Sequence, residues 1–333
     1  MRVATFGESH GAALGAVVDG CPAGIKISAA DFQRDLDRRK PGKNKISTAR
    51  KESDAAKILS GIFENKTIGT PIAVAIFNED QRSRDYSQVE KIFRPGHADE
   101  VFFEKFGTRD FRGGGRSSGR ETVGRVIGGT IAKKILPKKT KIFGHVAEIF
   151  GEKINKKNFD PTEIEKNPVR CGDKNSAEKF EKIILDAKKN GDSVGGVAEF
   201  CIQNCPKNLG DPVFGKLKSR LGGAILSLGG VFSCEIFPAK KISKIFGSAA
   251  NKISTGISGG ISTGDEIILR AHVRPTPSIA KIQKMKKIGG GKKKIAISGR
   301  HDPCILPRLI PAAEAMIALV LADALLENRL ARI

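Results

Sequence analysis

Residues 112–125 read Arg-Gly-Gly-Gly-Arg-Ser-Ser-Gly-Arg-Glu-Thr-Val-Gly-Arg, a glycine-rich segment that leads into apolar residues at helical spacing. Three consecutive glycines let backbone N–H groups turn toward a ligand, because no Cβ stands in the way. Ser118 and Glu121 have the spacing of a capping box, which predicts that a helix begins here. Unpaired amides and the helix dipole both favour an anion at such a loop. A glycine-rich turn before a basic surface helix is the alternative.

The arginines of this segment favour the anion-binding interpretation. A guanidinium group is always charged and can donate two parallel hydrogen bonds to a phosphate. The segment lacks the Gly-Lys-Ser/Thr of a Walker loop, so that class of nucleotide site is excluded. The arginines are Arg112, Arg116, Arg120 and Arg125.

The chain of 333 residues carries a formal net charge of +22, from 58 Lys and Arg against 36 Asp and Glu. A surface of this charge attracts polyanions, so a nucleic-acid-binding protein is the principal rival interpretation. The lysines, however, are scattered along the chain, and a single Tyr without any Trp leaves few aromatic platforms for stacking bases. We therefore expect a small phosphorylated or carboxylated ligand and no nucleic-acid partner.

The six cysteines form no Cys-x-x-Cys pair and no zinc-finger spacing, which predicts reduced thiols, a cytoplasmic location and no metal site. The most apolar run, residues 312–326, contains Glu314 and Asp323 and is shorter than a bilayer-spanning helix. No membrane partner is therefore expected.

Hydrophobic periodicity predicts one intertwined domain over residues 1–333, without an internal repeat or a linker. Ser28, with Asp31 at N3, predicts the start of a helix that a Pro-Gly pair ends. Asp211 predicts the cap of another helix, with Pro212 as its first residue. The other predicted segments are strands at 1–6, 12–18, 72–77, 194–202 and 266–273, helices at 176–190 and 311–330, surface strands and loops at 138–168, and loops at 247–264 and 284–294.

Two histidines stand next to glycines, a setting that suits a ligand-binding loop better than a core. His10 follows the first predicted strand in Gly-Glu-Ser-His-Gly, and His97 lies in Arg-Pro-Gly-His-Ala-Asp. Five cations among residues 38–45 exceed what the C-terminus of a helix requires. Together these segments predict a site for an anionic ligand.

Five blocks of the sequence resemble, in order, the signature blocks of the chorismate synthase family. They are spread over nearly the whole chain, which makes the resemblance far more specific than any single motif. The blocks are Phe-Gly-Glu-Ser-His-Gly at 6–11, Asp-Arg-Arg-Lys-Pro-Gly at 37–42, Arg-Pro-Gly-His-Ala-Asp at 94–99, residues 112–121, and Gly-Arg-His-Asp-Pro-Cys at 299–304. The resemblance implies an α+β fold, a single-domain β-α-β sandwich with helices between antiparallel sheets, and a homotetramer.

The resemblance also implies the chemistry. Members of this family eliminate phosphate from 5-enolpyruvylshikimate 3-phosphate by a trans-1,4 route to give chorismate, a step of aromatic amino acid biosynthesis in the shikimate pathway. They require reduced FMN although the reaction has no net redox change. NADPH is a candidate reductant of the flavin, and the sequence leaves open whether the chain uses it or an external reductant. The phosphate and two carboxylates of the substrate would account for the arginine-lined loops.

By motif, the resemblance implies roles for individual residues. His10 would donate a proton near the leaving phosphate, and His97 would protonate or polarise the reduced flavin near its N1–C2 edge. Asp302 would lie near N5 of the flavin and help to move the substrate proton. The substrate-binding residues would be Arg39, Lys45 and Arg112. The cofactor-binding residues would be Arg116, Ser117, Ser118, Gly229, Gly230, Gly259, Arg274, Pro275, Thr276, Pro277, Ser278 and Arg300.

The chain departs from the family pattern at two places. It lacks the few residues that usually precede Phe6, which indicates either a shortened first strand or a misassigned start codon. It is also shorter between Glu235 and Gly259, where the family's Asn-Asn-Ala-Gly-Gly-like turn reads Ser-Thr-Gly-Ile-Ser-Gly-Gly, and this bears on the flavin contacts of that turn. A family member that binds flavin without turnover is a second rival, although His10, His97 and Asp302 are all present.

Overall fold

A computed structural model describes residues 1–42, 44–48, 50–80, 89–297 and 301–331 of the chain. The α-helices of this part are α1 (Ala29–Arg39), α2 (Asp99–Phe106), α3 (Thr122–Ile135), α4 (Lys174–Lys189), α5 (Leu217–Leu226), α6 (Ala239–Ile242), α7 (Gly247–Ala250) and α8 (Leu306–Asn328). The strands are β1 (Arg2–Gly7), β2 (Ala13–Asp19), β3 (Lys57–Ile58), β4 (Ile62–Phe63), β5 (Lys66–Thr67), β6 (Ile72–Phe77), β7 (Ile92–Phe93), β8 (Lys141–Ile149), β9 (Glu152–Lys153), β10 (Gly196–Gln203), β11 (Val231–Ile236), β12 (Ile257–Ser258), β13 (Ile261–Ser262), β14 (Ile267–Val273), β15 (Ile282–Lys287) and β16 (Lys292–Ala296).

The first sheet has four antiparallel strands in the order β1-β2-β6-β3. β1 pairs with β2 along all six of its residues. Alternate residues of β2, such as Leu14 and Val18, are buried on the face against which α3 packs. Gly124 of α3 permits this close packing, because a Cβ there would lie 2.7 Å from the carbonyl oxygen of Gly15.

The second sheet has five antiparallel strands in the order β11-β14-β10-β8-β9. Its strand β8 contradicts the prediction of surface strands and loops for residues 138–168. His145 and Val146 are 2% and 0% exposed, and the ring of Phe159 packs 4.7 Å from that of His145 on the outer face. Because both faces of β8 are covered, its sequence does not alternate between apolar and polar residues as that of a half-exposed strand does.

Helices fill the space between the two sheets. α3 packs against β1 and β2, α8 packs against β8 and β10, and the two helices pack against each other. The α3–α8 contact is close at Gly129, where a Cβ would lie 2.2 Å from the Cβ of Ala315. One apolar cluster includes buried residues of both sheets and both helices. This architecture confirms the expected α+β sandwich, whereas the single-domain division of residues 1–333 stays a prediction.

The last helix, α8, begins five residues before the predicted start, so Pro311 lies inside it. A proline has no N–H to donate to the carbonyl group four residues earlier, here that of Pro307. The guanidinium group of Arg170 donates to the Pro307 carbonyl oxygen instead. The helix therefore continues through Pro311 without leaving this carbonyl group unpaired.

By length and composition α8 could cross a bilayer, and it is the one helix of the described residues that could. It is longer than the apolar run of residues 312–326 had suggested. However, 67% of its most apolar window is buried inside the fold. Residues such as Ile310, Ile317 and Leu321 are fully buried against α3 and the second sheet.

Most predicted elements are confirmed, but the helix start at Pro212 and the two predicted loop segments are wrong, in addition to the prediction for residues 138–168. The helix predicted from Pro212 begins at Leu217, after a turn in which Phe214 is 97% exposed. The segments predicted as loops contain hairpins, β12–β13 and β15–β16. In β15, Met285 is fully buried between exposed lysines, a strand alternation that the many lysines and glycines conceal. The elements that agree with prediction are β1, β2, β6, β10, β14, α1 and α4.

The capping box predicted for α3 is also wrong. Ser118 caps a 3-10 turn, Gly119–Glu121, by accepting a hydrogen bond from the Arg120 N–H at 3.3 Å, and α3 begins only at Thr122. The carboxylate of Glu121 accepts from the Thr5 hydroxyl and pairs with Arg125 instead. The box at α1 is present, because Ser28 and Asp31 bond reciprocally as predicted.

Candidate active site

The glycine loop adopts a backbone that only glycine tolerates well. Gly113, Gly114 and Gly115 have φ angles of +61°, +85° and +51° within the 3-10 segment Arg112–Ser117. The Ser117 hydroxyl donates to the Gly114 carbonyl oxygen at 2.7 Å and holds the turn. The loop can therefore approach neighbouring side chains more closely than any loop with Cβ atoms.

His10 lies directly against the first part of this loop. A Cβ on Gly113 would stand 2.2 Å from both Cε1 and Nδ1 of the imidazole, which is 4% exposed. The preceding Ser9 is fixed by Arg50, which donates to its hydroxyl and its carbonyl oxygen at 3.0 Å each. The end of β1 and the glycine loop therefore position His10 together.

His97 lies against the second part of the same loop. A Cβ on Gly114 would stand 3.1 Å from Cε1 and Nε2 of its imidazole. On the opposite edge of the ring, Nδ1 lies 3.0 Å from Oδ1 of Asp99 and 3.1 Å from Nη2 of Arg94. Burial lowers the pKa of His97, Asp99 opposes this shift, and Arg94 adds to it. A buried histidine, His10, and a partly buried one, His97, thus flank the glycine loop.

The predicted cofactor segment 274–278 packs beside His97. Arg274 donates to the Gly96 carbonyl oxygen at 2.9 Å, and Arg94 lies 3.4 Å from the Ser278 hydroxyl. The backbone N–H of Arg274 donates to the carbonyl oxygen of Gly230, also at 2.9 Å. Segments that are distant in sequence therefore meet next to His97.

Inside this segment, Thr276 has a buried hydroxyl oxygen that lacks a hydrogen-bond partner among the described residues. Its carbonyl oxygen accepts from the Ser193 hydroxyl at 2.7 Å. Pro275 packs against Gly195, where a Cβ would lie 2.9 Å from the proline nitrogen. Pro277 belongs to the same segment. A buried polar atom without a partner is uncommon in a finished fold and indicates that a ligand completes this region.

The remaining residues of the candidate site are Asp302 and its neighbour His301. Burial and the charges of Arg94 and His97 lower the pKa of His301 to about 4, which places it near His97. Its Nε2 atom has no partner among the described residues. Asp302 accepts from the backbone N–H of Thr48 at 2.9 Å and pairs with Arg308.

Arg39 belongs to a buried network of ion pairs. It is 0% exposed and pairs with Asp54, which is also fully buried and accepts from Arg120 at 2.8 Å. Burial lowers the pKa of Arg39 to about 10 despite Asp54, and the two arginines hold the pKa of Asp54 at about 2 against burial. The Arg308 Nε donates to the Arg39 carbonyl oxygen at 3.3 Å, which links the network to Asp302.

A sequence model of the chorismate synthase family matches residues 1–326. The chorismate synthases of Methanococcus maripaludis and Lachnospira eligens are each 46% identical to the chain, over 98% and 99% of it and over 96% and 94% of their own lengths. A crystal structure of chorismate synthase is 28% identical and aligns with a TM-score of 0.76 over 98% of this chain and 92% of that chain. The chain belongs to the chorismate synthase family. It is therefore a carbon–oxygen lyase.

The other residues that the chorismate synthase motifs singled out lie at varied distances from the histidine pair. Arg112 is 44% exposed and pairs with Asp110. Burial would raise the pKa of Asp110, but its hydrogen bonds with Arg112 and the charges of Arg112 and His10 lower it. Arg116 donates to Gly7 and Thr5 of β1 at 2.9 and 2.5 Å. Lys45 is exposed on the loop that Thr48 connects to Asp302. The predicted substrate cations thus comprise one buried side chain, Arg39, and two exposed ones.

Three chorismate synthase positions are not tied to the pair by described contacts. A Cβ on Gly229 or Gly259 would meet open space. Gly259 lies at the turn of the β12–β13 hairpin, where the next residue, Gly260, accepts a hydrogen bond from Leu217 at 2.7 Å. Arg300 lies outside the described residues. The cofactor roles of these three residues stay predictions.

Motif comparison with chorismate synthases overlooked several polar residues that build the site. Asp99 and Arg94 hold His97, Arg50 holds Ser9, and Asp54 pairs with Arg39. Asp99 could have been found, because it ends the quoted Arg-Pro-Gly-His-Ala-Asp block two residues after His97. Asp54 gave no comparable signal, since it lies in an irregular segment far from Arg39 in sequence.

A separate basic cleft of about 290 Å³ opens beside Arg308 and does not include the histidine pair. Its cations are neutralised: Arg38 pairs with Glu165 and Glu314, Arg170 with Glu165, and Arg308 with Asp302. We therefore place the site at the histidine pair, where both imidazoles lie against the glycine loop. In the described part of the chain, no three His, Cys, Asp or Glu side chains form a metal-binding group.

Proposed function

We propose that the chain converts 5-enolpyruvylshikimate 3-phosphate into chorismate and inorganic phosphate, with reduced FMN as cofactor. The observation that carries this proposal is the position of Gly113 and Gly114 between the imidazoles of His10 and His97. A turn with positive φ angles aims backbone N–H groups at an anion, and the two rings provide proton-transferring groups on either side of it. This step would belong to aromatic amino acid biosynthesis in the shikimate pathway.

The residues present suit a flavin phosphate and ring beside His97. Gly114 lets the loop backbone approach the ring of His97 closely, because a Cβ there would lie only 3.1 Å from the imidazole. The Thr276 hydroxyl and His301 Nε2 are buried polar atoms that a ligand could satisfy. The groups that would hold the cofactor are Arg116, Ser117, Ser118, Gly229, Gly230, Gly259, Arg274, Pro275, Thr276, Pro277, Ser278 and Arg300. Reduced FMN, when bound, supplies electron density that promotes loss of the phosphate and is itself left unchanged overall.

The residues of the chain would manage protons and charge. The reaction breaks one C–O bond, whose electron pair leaves with the phosphate, and one C–H bond, whose electron pair forms a new double bond. Because the elimination is 1,4, the existing double bond between these carbons shifts by one position. His10 would give a proton to the departing phosphate, and Asp302 would take up the proton that leaves carbon. Both groups are held in place, His10 by the glycine loop and Asp302 by Thr48 and Arg308.

Cations would bind the three anionic groups of the substrate. Arg112 and Lys45 are exposed and can reach a ligand from either side. Arg39 has its Nε and Nη1 atoms buried without partners among the described residues. Arg39 would offer these two atoms to the substrate, while its Nη2 atom neutralises Asp54.

The direct test is anaerobic incubation with 5-enolpyruvylshikimate 3-phosphate and dithionite-reduced FMN. Chorismate, identified by its absorbance, and free phosphate should appear in equal amounts. Binding of flavin without either product would support the non-catalytic family member instead. Retention on DNA that persists with flavin and substrate present, without phosphate release, would support the nucleic-acid-binding rival.

The proposal also includes a homotetramer in the cytoplasm. The outer face of the first sheet exposes Phe6 and Phe77, at 38% and 52%, next to small residues of β2 and β6, and such a face suits contact with a second copy. All six cysteines are free thiols, in keeping with a reducing compartment. NADPH is the proposed flavin reductant, and its oxidation by the protein with FMN can be followed directly. Light scattering that gives a monomer mass would contradict the assembly.

A further inference from the structure

Asp99 holds the edge of His97 that faces away from the glycine loop. It is the first residue of α2 and is 3% exposed. Its Oδ2 accepts from Arg94 Nε at 2.7 Å, and its Oδ1 accepts from Arg94 Nη2 at 2.9 Å. The same Oδ1 lies 3.0 Å from His97 Nδ1. A single carboxylate therefore fixes both a guanidinium group and an imidazole ring.

These distances distinguish the two neutral forms of His97. A carboxylate can only accept hydrogen bonds, so a bare Nδ1 lone pair 3.0 Å from Asp99 would be repelled by it. Arg94 Nη2 lies 3.1 Å from Nδ1 and 2.9 Å from Oδ1 of Asp99, so these three atoms form a nearly equilateral triangle. The two N–H bonds of a guanidinium nitrogen diverge by about 120°, so an N–H that reached a bare Nδ1 would have to be shared with Asp99. A proton on Nδ1 satisfies the carboxylate, and it leaves the lone pair on Nε2, the atom that faces Gly114.

We propose that Asp99 is a positioning residue that fixes His97 in its Nδ1–H form and so presents Nε2 to the ligand as a hydrogen-bond acceptor. The group that Nε2 would bind is an N–H or O–H donor of the ligand beside Gly114. The family resemblance implied that His97 protonates or polarises the flavin, whereas in this form it would accept a hydrogen bond from it. In an enzyme of the proposed function this ligand is the reduced flavin, so the catalytic meaning of the inference rests on that function. The orientation of the His97 ring does not depend on the proposed function.

The surroundings of His97 keep it neutral. Asp99 from α2, together with Arg94 and Arg109, are the charged groups next to the ring, and His301 is the other imidazole nearby. Burial lowers the pKa of His97 below its ordinary 6.5, and the two arginines add to this effect against Asp99. At pH 7.5 the ring therefore accepts at one nitrogen and donates at the other.

Nitrogen-15 NMR of histidine-labelled protein reports which imidazole nitrogen carries the proton. The full-length chain is measured without ligand at pH 7.5, and the His97 signals are assigned as those missing from His97→Gln. We expect the proton of His97 on Nδ1 in the wild-type protein. In Asp99→Asn the amide can donate to Nδ1, so the proton should shift to Nε2. The control is Asp35→Asn, which removes another buried carboxylate, one that pairs with Lys133. This variant should leave the proton of His97 on Nδ1.

Kinetics provide the second measurement. With reduced FMN and substrate, Asp99→Asn should lower kcat by about 10²-fold while KM stays near that of the wild-type protein. A wild-type spectrum with the His97 proton on Nε2 would overturn the proposal, even if Asp99→Asn fails to fold. An unchanged His97 form in a folded Asp99→Asn would overturn it as well. Absence of phosphate release by a wild-type protein with the Nδ1–H form would instead refute the proposed function and leave the role of Asp99 standing.

Discussion

Gly113 lies so close to His10 that a Cβ on Gly113 would stand 2.2 Å from two atoms of the imidazole ring. The neighbouring Gly114 is in similar contact with His97. The glycine loop is therefore the element that sets the separation of the two histidines. Its positive φ angles and its lack of side chains are both needed for this.

Gly113→Ala should abolish most turnover. The substitution combines a φ of +61°, which costs an alanine roughly 1–2 kcal/mol, with a contact that forces His10 to move. We expect kcat/KM for phosphate release to fall by about 10²-fold or more. Gly119→Ala is the matched control in the same segment, because its Cβ would meet open space. Equal activity of the two variants would show that the contact with His10 is unimportant.

Arg39→Ala should act on stability, in addition to any effect on substrate binding. Its removal leaves the fully buried Asp54 with Arg120 as its remaining close cation, and breaking a buried pair typically costs about 3–5 kcal/mol. Lys45→Ala, at an exposed position, should change the free energy of unfolding by less than about 0.5 kcal/mol and raise the substrate Kd. Urea denaturation and substrate binding measured on both variants separate the effects. An unchanged midpoint for Arg39→Ala would contradict the structural role.

Asp302→Asn should retain FMN and substrate binding but lose about 10²–10⁴-fold in turnover, because an amide cannot accept and pass on a proton. The asparagine can still accept the hydrogen bond from Thr48. Arg308→Gln removes the same ion pair while it keeps the carboxylate, and it should be the more active variant. Anaerobic stopped-flow compares the two. Wild-type turnover in Asp302→Asn would make Asp302 a purely structural residue.

Much of the fold was predictable where one face of an element is exposed. The amphipathic helices α1 and α4 show clear helical periodicity, and the structure confirms them. Strand β6 was predicted from its continuous apolar run and is also confirmed. β8 was missed because both of its faces are covered, and the start of α8 was missed because Arg170 replaces the hydrogen bond that Pro311 cannot make. Such compensation depends on residues distant in sequence, which local patterns do not report.

The site was predictable in its parts but not in its connections. The glycine neighbours of His10 and His97 indicated ligand-binding loops, and the structure places both rings against one turn. The buried position of Arg39 was not predictable, because the cation-rich segment around it resembles an exposed helix end. Its partner Asp54 comes from an irregular segment fifteen residues later, and only the tertiary structure joins them.

Stability should fall in acid through Glu199 of β10. Burial alone would raise the pKa of Glu199, but His145, Arg270 and Lys156 hold it at about 2, below the ordinary 4.5. A lowered carboxylate pKa stabilises the fold above pH 4.5, and this contribution of roughly 3 kcal/mol is lost as the pH falls from about 4.5 toward 2. The stability difference between wild type and Glu199→Gln should therefore shrink in this range. Exposed Glu178→Gln is the control, and a difference for Glu199→Gln that is constant with pH would contradict the assignment.

The central claim is that this site carries out a redox-neutral elimination for which reduced flavin is required but not consumed. The most direct measurement mixes the protein anaerobically with one equivalent of reduced FMN and a hundredfold excess of 5-enolpyruvylshikimate 3-phosphate. Flavin absorbance, chorismate and phosphate are followed together. The account predicts many molecules of chorismate and phosphate per flavin, with the flavin still reduced at the end. Equal turnover without flavin, or oxidation of one flavin for each product formed, would contradict it.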